Sequence, residues 1–95
     1  MKSFFLAVQN PLEKDKLIQF IDRRPEVINW YTFGAIVFLI SDYDLSYLGS
    51  LIHNGVESLF FVICEIDQRN IQGWMPEQAW DFVLNPRPAT AYKKT

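Results

Sequence analysis

The sequence predicts a small α+β domain built on one antiparallel sheet, and three observations carry that prediction. The runs Phe4-Phe5-Leu6-Ala7-Val8, Ala35-Ile36-Val37-Phe38-Leu39-Ile40 and Leu59-Phe60-Phe61-Val62-Ile63 are apolar at odd and even positions alike. Successive strand side chains point to opposite faces, so such runs belong to strands covered on both sides. Between them lie two amphipathic segments bounded by helix-start and helix-stop residues. The chain is 95 residues long, which allows one domain.

Residues 3–9 read as a first strand that stops at Asn10-Pro11. Asn10 suits a helix cap, Pro11 the first helical position, and Glu13 the place from which a capping-box carboxylate reaches back. The first helix is predicted over Pro11–Arg23, with Leu17, Ile18, Phe20 and Ile21 as its apolar stripe. Arg23 and Arg24 favour the C-terminal end of its dipole, and Pro25 stops it. Val27–Phe33 reads as a second strand and Ala35–Ser41 as a third. Gly34 between them marks either a tight hairpin or a bend in one long strand. Asp44 caps a second helix over Leu45 to Asn54, which Gly55 closes in the left-handed conformation. Ser58–Ile66 is the fourth strand, and Met75-Pro76-Glu77 opens a short helix ending near Leu84.

The order β-α-β-β-α-β is the split-βαβ, ferredoxin-like arrangement, a two-layer sandwich with both helices on one face. The domain is expected over residues 1–84, with residues 85–95 as a flexible tail. Two helices leave the second sheet face open. Residues predicted there are Phe5, Ala7, Val37, Leu39, Phe61 and Ile63, because Gln9, Ser41 and Glu65 share their parity and would form a polar rim. An apolar centre with a polar rim is interface anatomy, and the simplest cover is a second copy of the chain. The alternative is the C-terminal segment folding back, with Trp74, Met75 and Trp80 as the cover.

Composition narrows the functional classes. The net charge is −2 and the nine Lys and Arg are scattered, which disfavours a nucleic-acid surface. No apolar stretch reaches the ~18 residues of a membrane span. The strand run follows Met1-Lys2 directly, so no leader peptide is expected. The single cysteine, Cys64, sits within an apolar strand run and reads as a buried structural thiol suited to a reducing cytoplasm.

The element order, the length, the stretch Glu57-Ser58-Leu59-Phe60-Phe61-Val62, and Gly73-Trp74 with Trp80-Asp81-Phe82-Val83 resemble the small CRISPR-adaptation nuclease-like subunits and the related virulence-associated protein D toxins. The resemblance covers about residues 3–84. It implies a homodimer and a defence or toxin–antitoxin setting. Active members are expected to end the first strand in a metal-holding aspartate. Here the matching positions read Val8-Gln9-Asn10, and a neutral amide is a poor ligand for a hard cation. The resemblance therefore implies a binding role without catalysis.

The remaining polar residues carry modest signals. His53 suits the C-terminal end of the second helix, with Glu57 near it in sequence. Asp42 and Asp44 read as capping groups, or as a carboxylate pair able to share a cation. Glu65 and Asp67 read as edge charges that block strand addition, or as an acid–base pair. Trp74, Trp80, Tyr43 and Tyr47 suit packing or an interface, or the stacking of bases. The tail from Pro86 to Lys94 reads as an exposed terminus, a partner-binding peptide or a strand added to a mate. No catalytic, cofactor or metal residue is assigned. The reading is a cytoplasmic homodimer that binds another macromolecule, with protein favoured over nucleic acid. The alternatives are a metal-dependent nuclease using Asp42, Asp44 or Glu65, and a small-ligand sensor using the covered sheet face.

Overall fold

A computed structural model describes residues 1–89. The elements are β1 (Lys2–Val8), α1 (Pro11–Ile21), β2 (Asn29–Phe33), β3 (Ile36–Ser41), α2 (Leu45–Gly55), β4 (Phe61–Glu65) and α3 (Glu77–Leu84). The fold is α+β, with one four-stranded sheet ordered β2-β3-β1-β4. Every neighbouring pair is antiparallel. β1 and β3 are central, and β2 and β4 form the edges.

Local signals place most boundaries. Asn10 is extended and its Oδ1 accepts the Glu13 N–H at 3.1 Å, with Pro11 opening α1. The reciprocal half of the predicted capping box is not made: Glu13 Oε1 is buried and has no hydrogen-bond partner among the described residues. α1 ends at Ile21 with Asp22 as its cap, so Arg23 and Arg24 lie beyond the last helical turn. Phe33 and Ile36 pair across Gly34-Ala35, and Gly34 has φ +59°, so β2 and β3 form a tight hairpin. Glycine at the first central position is what a two-residue turn of this kind requires. Asp44 Oδ1 accepts the Tyr47 N–H at 2.8 Å and starts α2.

Gly55 departs from expectation. It is the last helical residue, and the left-handed residue after α2 is Ser58, with φ 62°. Gly55 is small for a different reason. The Phe20 ring of α1 lies against it, so a Cβ there would sit 2.1 Å from Phe20 Cζ.

Cross-strand register assigns the faces. Phe4 stands beside Leu39 and Glu65, and Leu6 beside Val37 and Ile63. Apart from Glu65, this set packs with Leu17 and Ile21 of α1 and with Leu48 and Ile52 of α2 into one core, which Phe61 also joins. The predicted open-face set therefore needs correction. Val37, Leu39, Phe61 and Ile63 lie under α1 and α2; of the six residues, only Phe5 and Ala7 lie on the opposite face. Ser41 and Glu65 do not mark a solvent rim. Ser41 is fully buried, and its Oγ donates to Glu26 O at 2.7 Å and accepts the Tyr43 N–H at 3.0 Å. A satisfied hydroxyl can sit inside a core, so its polarity does not point to water. Glu65 ends an edge strand, where its carboxylate is exposed although the face it belongs to is buried.

α3 packs on the second face. The Ser3 Oγ, buried, donates to Val83 O at 3.0 Å, and the rings of Tyr31 and Phe82 stack at 5.5 Å. Phe38, Ile40, Ala79 and Val83 are buried there. The C-terminal segment thus covers the β2-β3 side of this face. Trp80 is half-buried, but Trp74 stands 99% exposed and covers nothing. Asn85 and Arg87 both turn back to the Asp81 carboxylate. Of the predicted tail, residues 90–95 lie outside the described residues. No helix among the described residues is long and apolar enough to cross a membrane.

Candidate functional site

The part of the second face that α3 leaves open lies over β1 and β4. Phe5 and Ala7 are half-buried there, Val62 is 55% exposed, and Cys64 is exposed. Phe60, just before β4, is 73% exposed. The expectation of a buried Cys64 is corrected: its strand is an edge, and α3 does not reach that far across the sheet. An apolar groove of about 280 Å³ adjoins this region, between Phe5, Phe33 and Phe38 of the sheet and the Ile71–Met75 segment.

A second region joins the ends of the two helices of the first face. Glu26 is buried and its carboxylate takes both Arg24 Nε and Nη2 at 3.1 Å. The Tyr47 hydroxyl of α2 donates to the same carboxylate at 3.2 Å. The Arg24 guanidinium also lies 5.7 Å from the Phe20 ring centroid. The Tyr43 and Tyr47 rings meet at 4.6 Å. The Arg24 hydrogen bonds, joined by backbone and Tyr47 donors, hold the Glu26 carboxyl below the usual range, and the same carboxylate pushes the Tyr47 hydroxyl up. A cleft of about 630 Å³ opens beside this cluster, lined by Lys16, Gln19, Phe20, Arg23 and Ser58 among others.

Sequence reasoning missed Glu26. A glutamate after Arg-Pro in a loop carries no periodic signal, and only the fold shows that Tyr47 and Ser41 converge on it. A lowered carboxyl pKa contributes stability above the unfolded-state value, and that contribution is lost as pH falls through the folded-state value. Thermal midpoints of the wild type should therefore drop on acidification below about pH 4, and part of that drop should disappear in Glu26→Gln. Identical pH profiles for the two proteins would show that the cluster does not couple to folding.

The other polar candidates disperse. Asp44 caps α2, and Asp42 pairs with the Met1 amino group at 3.2 Å. Asp67 accepts the Arg69 N–H at 2.9 Å, while Glu65 lies exposed at the end of β4. His53 is exposed in the last turn of α2. Among the described residues no three of His, Cys, Asp and Glu gather where they could hold a metal ion. At the end of β1, where the resemblance places a metal-holding aspartate, Asn10 caps α1. The chain matches no family model, no curated protein and no solved structure.

Proposed function

We propose that this chain is a ferredoxin-like, non-catalytic interaction protein that acts as a homodimer and binds a further macromolecule. The observation that carries the reading is the uncovered apolar strip of Val62 and Cys64 on an edge strand, with Phe60 just before it. Edge strands normally carry charge, proline or a bulge against association, and β4 carries only Glu65 at its end. The sheet order β2-β3-β1-β4, with a helix following β1 and another following β3, supports the ferredoxin-like arrangement. A defence or toxin–antitoxin setting is proposed from the resemblance alone.

Light scattering after size exclusion tests the homodimer at low and high micromolar concentration. The expected result is twice the 11.2 kDa chain mass for the wild type and a monomer for Val62→Glu. Phe61→Glu would be a poor probe, because Phe61 packs against the core and its loss unfolds as much as it dissociates. A monomeric wild type at both concentrations would refute the homodimer.

A further inference from the structure

The hydrogen-bonding pattern of β4 gives the homodimer reading a specific geometry, which stands only if that reading does. The Ile66 N–H donates to Ser3 O at 2.8 Å. In an antiparallel ladder, residues two apart face the same neighbour and those between face away. Val62 and Cys64, opposite Ala7 and Phe5, therefore direct their N–H and C=O groups at β1. Phe61, Ile63 and Glu65 direct theirs outward. β4 ends the sheet, so among the described residues these outward groups have no strand to pair with.

We infer that two copies of the chain join β4 to β4 across a two-fold axis at Ile63, making one continuous antiparallel sheet. With Ile63 opposite its mate, Phe61 faces Glu65 of the second copy, and every outward-facing residue of one β4 meets one from the other. Centring on Val62 instead sends Glu65 opposite Leu59, beyond the strand. Centring on Cys64 sends Phe61 opposite Asp67 and brings the two Glu65 carboxylates to within two residues of each other. The Ile63 register leaves those carboxylates roughly 13 Å apart along the strands. It also sets Val62 beside Cys64 of the second copy on the open face and extends the apolar strip across the axis. Because each copy uses the same edge, the assembly closes at two.

In this register Val62 and Cys64 of the second copy form a non-hydrogen-bonded pair, with Cα atoms about 4.5 Å apart. That spacing lies within the range a disulfide bridges. Val62→Cys with native Cys64 retained should therefore convert to covalent dimer under mild oxidation, read on a non-reducing gel, and revert with reductant. Wild type, whose cysteines sit diagonally in this register, should not. Circular dichroism of Val62→Cys before oxidation should match wild type, and Val62→Ser should dimerise without cross-linking.

A wild-type dimer by light scattering with no cross-link in Val62→Cys would overturn the edge-to-edge geometry and leave the homodimer standing. Cross-linking of wild type through Cys64 alone would overturn the register. A wild-type monomer would overturn both, and an open series of larger assemblies would overturn two-fold closure.

Discussion

Replacing Phe4 with alanine is expected to cost about 3–5 kcal/mol, the range for removing a buried aromatic ring from a core. Phe4 is fully buried in a central strand and shares its core with Leu17 and Ile21 of α1 and Leu48 and Ile52 of α2. One truncation therefore weakens the contact of both helices with the sheet at once. A domain this small shifts its thermal midpoint by roughly 4–8 °C per kcal/mol, so the midpoint should fall by roughly 12 °C or more. Leu12→Ala is the control. Leu12 is exposed in the first turn of α1, and its truncation should change stability by no more than about 0.5 kcal/mol. Equal stabilities for Phe4→Ala and Leu12→Ala would show that the Phe4 ring is not packed in the core between the sheet and the two helices. The measurement is urea unfolding, with thermal midpoints alongside, at a fixed low protein concentration so that association does not add to the apparent stability.

The second large effect is expected on the opposite face. Val83→Asp puts a carboxylate at a fully buried position of α3, with the Tyr31–Phe82 stack on one side and the Ser3–Val83 hydrogen bond anchoring the backbone. A charge buried without a partner is too costly for the docked position to hold. The contact between α3 and the sheet should open before the core unfolds, because the two are built from separate sets of side chains. Hydrogen exchange read segment by segment distinguishes this from global unfolding. Amides of α3 should lose protection while those of α1 and β1 keep theirs. Unchanged protection in α3 would mean that the helix does not depend on this face. Uniform loss everywhere would mean that its docking and the core are one cooperative unit.

The element order was legible because local chemistry wrote it. At Gly34 the sequence left a hairpin or one bent strand open and the fold decided for the hairpin, whereas Asn10-Pro11 and Asp44 each cap a helix through a side chain and a backbone N–H three residues on. Each of those signals is complete within a few residues, so tertiary structure had nothing to override. The doubled apolar run of β3 is covered on both faces, with Leu39 under α1 and α2 and Phe38 and Ile40 under α3, whereas on the second face β1 keeps Phe5 and Ala7 half-buried and the run into β4 leaves Phe60 and Val62 exposed. Which parity meets which helices was not legible. Both parities of these runs are apolar, and of the polar residues used to choose between them, Gln9, Ser41 and Glu65, Ser41 finds its hydrogen bonds inside the fold and Glu65 reaches solvent from the end of an edge strand.

The sequence by itself therefore determined the fold class, the helix starts and the need for cover on two faces, because period-2 burial and capping are local properties. Only the tertiary structure decided that the C-terminal helix supplies part of that cover and stops short of β4. Burial depends on which elements reach across the sheet, and that reach left Val62 and Cys64 in the open. The same is true of Glu26. Its place beneath Arg24 and Tyr47 is a meeting of residues from a loop and a helix far apart in the chain, and no spacing in the sequence records it.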